Sequence, residues 1–176
     1  MQENTNPFEE DDNLQKAWLG RLRVNPTRTV SLGASVYSDH LTEMNGEGED
    51  AGGRTSWFSY GAHGTYTPGA LGFEAEWVRG HLDPSHDARV HRWATTAMVY
   101  YRIRDRFTPY VRYEYLDPHT GVGDDQAHML VYGLNVRVTQ GLYLKADLNT
   151  VRSGLNNQRF EGSDFTEFKA AIAAGF

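Results

Sequence analysis

The chain has 176 residues, 39% of them hydrophobic, with a mean hydropathy of -0.61 and a formal net charge of -6. That length suits one domain over 1–176, and no apolar run approaches the roughly 20 residues of a transmembrane helix, a test that strands with alternate polar residues escape. The acidic balance, with no basic, aromatic-interleaved patch, argues against nucleic acid as a partner, and the absence of Cys leaves no disulfide framework or thiolate chemistry.

Residues 1–15 form an acidic loop or leader with Glu3, Glu9, Glu10, Asp11 and Asp12, and they lack the basic start and apolar core of a secretory signal. Beyond them a period of 2 recurs, which marks strands. Trp18, Gly20, Leu22 and Val24 alternate with Leu19, Arg21 and Arg23 before a turn at Asn25-Pro26-Thr27. Val30, Leu32, Ala34 and Val36 form the apolar face of a second strand, and the polar stretch Leu41 to Arg54 reads as a long solvated loop. A third strand sets Phe58, Tyr60, Ala62, Gly64 and Tyr66 against Ser59, Gly61, His63 and Thr65, and turns at Thr67-Pro68-Gly69. In the fourth, Leu71, Phe73, Ala75 and Trp77 oppose Glu74 and Glu76, and a loop from His81 to Asp87 follows.

Strand five is the cleanest alternation, with Trp93, Thr95, Ala97, Val99, Tyr101 and Ile103 against Arg92, Met98, Arg102 and Arg104. After the turn Arg104-Asp105-Arg106, Phe107, Pro109, Val111, Tyr113 and Tyr115 oppose Tyr110, Arg112 and Glu114, and a loop runs from Asp117 to Asp125. Leu130, Tyr132, Leu134, Val136 and Val138 then oppose Gly133, Asn135 and Arg137, with a turn at Thr139-Gln140-Gly141. Leu142, Leu144, Ala146 and Leu148 oppose Tyr143, Lys145, Asp147 and Asn149. A loop from Arg152 to Ser163 leads to the last strand, where Phe168, Ala170, Ile172, Ala174 and Phe176 share one face.

Short connections at Pro26, Pro68, Asp105 and Gln140 alternate with long ones at Asn45, Ser85, Gly121 and Asn156. A soluble meander has no reason to gather its long loops at one end, whereas a membrane barrel does. Trp18, Trp57, Trp77 and Trp93 fall at the long-loop ends with Tyr113, Tyr115 and Phe168. Tyr66, Phe73, Tyr101, Phe107 and Phe176 gather at the short-turn ends, which gives two aromatic belts. Trp57 has inward parity in this register, so a bulge or an inward ring is open there.

The terminal strand closing on Phe176 resembles the carboxyl-terminal strand of Gram-negative outer-membrane β-barrels. With the loop rhythm, the belts and phrases such as Pro109-Tyr110-Val111-Arg112-Tyr113-Glu114-Tyr115, residues 16 to 176 look like the carboxyl-terminal part of a porin. The resemblance implies an all-β, antiparallel up-and-down transmembrane barrel in the cell outer membrane. It further implies membrane lipid as a partner, Phe176 as a signal for the barrel assembly machinery, and passive passage of small hydrophilic solutes. Homo-oligomerisation is open. The alternatives are a non-conducting barrel serving as adhesin or structural anchor, and a soluble ligand-binding β-barrel.

The expected pore-lining residues are Arg21, Arg23, Glu74, Glu76, Arg92, Arg102, Arg104, Arg112, Glu114, Arg137, Lys145 and Asp147. With Lys169 and Glu167 the inward face counts nine basic to five acidic residues, a surplus that would favour anions. The bland reading is a polar wall with ions paired across strands, Arg112 with Glu74 or Lys145 with Glu167. His81, Asp83, His86 and Asp87 are metal-ligand types, but their Pro-containing loop fixes no geometry and no metal or cofactor is assigned. Asp39 and His40 point to opposite faces, His63-Gly64-Thr65 lacks the Ser of a barrel phospholipase pair, and no nucleophile-elbow or phosphate-loop motif occurs, so a non-enzyme is expected. Nine strands would bring the first and last together in parallel, so a partial barrel with open edges is expected over an eight-stranded closure from Arg28.

Overall fold

The computed structural model describes residues 16–44, 50–157 and 163–174, with backbone alone at 41–44 and 50–52. Nine strands follow one another: β1 (Trp18–Val24), β2 (Val30–Met44), β3 (Asp50–Tyr66), β4 (Leu71–Pro84), β5 (Val90–Tyr101), β6 (Phe107–Asp117), β7 (Ala127–Thr139), β8 (Leu142–Ser153) and β9 (Phe165–Ala174). Each pairs antiparallel with its sequence neighbours, and the order β1 to β9 is linear, so the sheet is open. Among the described residues no ladder joins β2 to β9, and the eight-stranded closure does not form.

Hairpin chemistry explains the short turns. Gly69 and Gly141 take φ of 71° and 83°, and Arg104 and Asp105 both take 51°, the left-handed pair that matches strand twist in a two-residue turn. The long ends differ from expectation. Leu41 to Arg54 is not a loop throughout, because β2 runs to Met44 and β3 starts at Asp50, with a register irregularity between Thr42 and Met44. A ladder above the membrane needs backbone pairing but no apolar face, so polar composition did not stop these strands. The leader 1–15 and Phe176 lie outside the described residues.

The alternation survives across every ladder. In one row Leu32, Gly64, Ala75, Ala97 and Tyr113 sit side by side from β2 to β6, and in another Tyr132, Leu148 and Phe168 do so from β7 to β9. Large apolar residues of this face are exposed, with Val99 at 38%, Leu144 at 42% and Ile172 at 74%. On the opposite face Tyr110, Val131, Asp147, Asn149 and Val151 are buried. Side chains converge on the concave side of a curved sheet and splay on the convex side, so the polar face lines the hollow and the apolar face turns outward. That outward surface is what a lipid-facing wall requires. No helix of the described residues is long and apolar enough to cross a membrane, and crossing falls to the strands.

Trp57 needs no bulge. It pairs in register with Asp39 and Leu82, so its ring points inward, packed edge-on against Tyr37 at 5.1 Å with the Arg92 guanidinium 4.6 Å from its centroid.

Candidate functional site

The face opposite the apolar one carries part of the polar set expected there, and the ladders decide which of its members meet. On the middle strands Glu74 stands beside Thr65 and Met98, Glu76 beside His63 and Thr96, and Arg112 beside Met98. Arg21 reaches across β2 to within 3.3 Å of His63 Nε2. Together Arg21, His63, Glu74, Glu76 and Arg112 border a cavity of about 290 Å³ with both signs of charge on its rim. His63 fits because Gly33 opposite has no side chain; a Cβ there would fall on the imidazole.

A second group lies on β6 to β9. Tyr110 donates its hydroxyl proton to Asp147 Oδ1, and Lys145 Nζ lies 3.2 Å from Asp147 Oδ2. The Tyr110 ring lies flat over Gly133, its ladder partner, where a Cβ would again strike the ring. Lys169 pairs with Glu167 at 2.6 Å, and Asn149 donates to the same carboxylate. Among the described residues of the wall, ion pairing therefore runs along a strand: Arg112 meets Glu114 at 2.7 Å and Lys145 meets Asp147, and the cross-strand pairs of the bland reading, Arg112 with Glu74 and Lys145 with Glu167, do not form. Residues i and i+2 share a face and need no second strand to set their spacing. The Arg112 Nε contact is an ion pair without hydrogen-bond alignment.

The other predicted lining residues sit towards the ends. Arg23 donates to Ser31 at 2.7 Å. Arg102 follows the last residue of β5 and donates to the Gly69 carbonyl at 2.6 Å, Arg104 lies in the β5–β6 turn, and Arg137 accompanies Arg106, whose carbonyl accepts its backbone N–H. Arg102, Arg104, Arg106 and Arg137 thus gather at the short-turn rim with Asp105 as the acid of that turn. In the wall itself the balance evens out, with Arg21, Arg23, Arg92, Arg112, Lys145 and Lys169 against Asp39, Glu74, Glu76, Glu114, Asp147 and Glu167.

The loop group from His81 to Asp87 is split by the ladder. His81 faces His91 with ring centroids 5.8 Å apart, and Asp83 accepts from Arg89 at 2.6 Å, beyond the apolar band. That bond holds the Asp83 carboxyl below its ordinary range and the Arg89 guanidinium above its own. Among the described residues, no group of three or more His, Cys, Asp or Glu gathers as a metal site. Sequence reasoning missed the cationic edge made by Arg79, His81 and His91, because it ended β4 and began β5 too near the belts; the parity of Arg79 with Trp77 was the available signal.

A polar concave wall, an apolar convex wall, belts at two levels and loops sorted by length define the sheet of an outer-membrane β-barrel, lodged in lipid. No family model and no curated protein matches the chain. Solved structures do. In-vitro folded OmpT, an outer membrane protein of Vibrio cholerae, aligns at a TM-score of 0.67 and 15% identity over 90% of this chain and 55% of its own. Its trimer form aligns at 0.66 and 14%, and the outer-membrane expressed protein at 0.66 and 16%, each over 56% of its own length. The chain therefore spans a little over half of the structures it resembles, and the likeness is one of fold.

The expectation of a non-enzyme is corrected by this likeness. It rested on missing motifs and on Asp39 and His40 facing opposite ways, and the chain instead shares its fold with outer-membrane proteins named OmpT at 14 to 16% identity. Outer-membrane barrels include enzymes as well as channels, and a fold does not select among the functions grafted on it. Missing motifs do not decide the point.

Proposed function

We propose that the chain forms the wall of a passive diffusion pathway for small hydrophilic solutes across the outer membrane, with a preference for anions. The observation that carries this is the inward cavity bordered by Arg21, His63, Glu74, Glu76 and Arg112, a water-compatible surface with charges of both signs along the path. Anion preference comes from the short-turn rim, where Arg102, Arg104, Arg106 and Arg137 raise the local anion concentration at the mouth. Small solutes are the partners this wall fits. The β9 end with Phe176 is the segment read by the assembly machinery, and a homo-oligomer is in keeping with the trimer form of the similar structure.

The test is the reversal potential of the full chain in a planar bilayer under a salt gradient. Anion preference is expected, with a shift towards cations for Arg102→Glu combined with Arg104→Glu. A silent bilayer removes the channel reading, and an unchanged potential in the double variant removes the role of the rim.

A further inference from the structure

Among the described residues, every outward-facing Arg and His of the strands lies in the long-loop half of the sheet, and none lies on the outward face between the belts or below them. The densest group is on β4 and β5. Arg79 stands between Tyr60 and Trp93, and His81 between Phe58 and His91. Arg79 and His91 are exposed. No ion pair reaches Arg79 among the described residues; of the acids on this face nearby, Asp83 is taken by Arg89, and Asp117 is buried beyond Trp93, two strands from Arg79.

Height fixes what these cations meet. Ten residues separate Leu71 from His81. At about 3.3 Å per residue and a tilt of about 40°, that is about 25 Å of height, the full depth of an apolar barrel band. The cations therefore stand at the headgroup level of the leaflet on the long-loop side.

Directly below them the outward face is grooved. Gly64, Ala75 and Ala97 form a floor of small residues in one row, with Tyr66 and Phe73, stacked at 6.2 Å, and Tyr113 as walls. The groove holds about 600 Å³. From Arg79 the lane to it passes Trp77 and Thr95, ladder partners on the same face.

We propose that this face binds a phosphate-bearing, acyl-chained lipid of the long-loop leaflet, with its headgroup on Arg79, His81 and His91 and an acyl chain in the Gly64–Ala75–Ala97 groove. A guanidinium matches phosphate oxygens in a two-point fork, and the groove continues from the cations into the acyl region, so one amphiphile satisfies both. Charge complementarity selects a lipid over a second copy of this chain, whose own rim would present the same cations. The inference rests on the membrane placement of the sheet and not on conduction, so a chain that binds such lipid without conducting leaves it intact.

Native mass spectrometry of the full chain in detergent micelles tests it, with phosphatidic acid, phosphatidylcholine of the same acyl chains, and inorganic phosphate as separate probes. Phosphatidic acid should be retained roughly fivefold over phosphatidylcholine. Inorganic phosphate should not displace it, and Arg79→Gln with His81→Gln and His91→Gln should bring it down to the phosphatidylcholine level. Ala97→Phe, which fills the groove and keeps the cations, should lower both lipids together. Equal retention of the two lipids by the unaltered chain overturns the proposal without recourse to any variant. So does displacement by inorganic phosphate, which would mean a free-anion site, or efficient cross-linking between copies through Ala97→Cys in phosphatidylcholine alone, which would make the face a contact between copies.

Discussion

At the scale of residues, one step along a strand changes the solvent. Val99 on β5 lies between Phe73 and Val111 on the outward face and is 38% exposed, while Met98 beside it faces inward between Glu74 and Arg112. Val99→Arg would put a guanidinium into hydrocarbon near the midplane, at a cost of about 2 to 4 kcal/mol. Met98→Arg places the same group in the polar hollow, where Glu74 can receive it, and should be close to neutral. Urea unfolding of both variants in lipid vesicles gives the comparison; equal losses would mean that the two faces share one environment. Glycine works at this scale too. Gly133 is needed under the Tyr110 ring, and that ring delivers its hydroxyl to Asp147, so a backbone requirement on β7 fixes a polar pair between β6 and β8.

At the scale of elements, the long connections lock onto one another. Asp124, at φ 62°, accepts the Asn156 N–H through its carbonyl and the Leu155 N–H through its carboxylate, and Asn157 donates its side-chain amide to the Asp125 carbonyl. Gly154 packs so close to the Asp124 carbonyl that a Cβ would overlap it. Asn157 and Asp125 are 1% and 3% exposed, so removing the amide strands a buried acceptor, at a cost of about 1 to 3 kcal/mol. Asn157→Ala should therefore open the β6–β7 loop to added protease several-fold faster while the strands stay protected; unchanged cleavage would mean that the clasp carries no stability. None of this was legible in the sequence. The strands were, because a period of 2 such as Trp93 to Tyr101 reports directly on two solvents. The clasp depends on two loops about 30 residues apart meeting in space, and Asp124 and Asn157 carry no local sign of it. Strand length failed for a related reason: above the membrane β2 and β3 lose the alternation and keep only their ladder. The wall was legible as a set of residues but not as pairs, since parity puts Arg112 and Glu74 on one face without saying that Glu114, on the same strand, is nearer.

At the scale of the whole molecule, the edges govern behaviour. In a linear antiparallel order β1 and β9 run the same way, so joining them would demand a parallel ladder in an otherwise antiparallel sheet. Nine strands of this order cannot close on themselves by the pairing that built them, and bacterial single-chain barrels are even-numbered. Each edge then carries a row of backbone groups with no partner in the sheet, inside a solvent that cannot satisfy them. Every strand from β2 to β8 has two neighbours, so protection should rise inward from both edges. Amide hydrogen exchange of the chain in micelles should show β1 and β9 exchanging at least tenfold faster than β5, a difference of about 1.4 kcal/mol in local opening. The same unpaired edges should draw copies together, so that exchange at β1 and β9 slows as the number of chains per micelle rises while β5 stays constant. Protection of β1 and β9 equal to that of β5 in singly occupied micelles would mean that the two edges do meet, and the open sheet would have to give way to a closed one with a parallel seam.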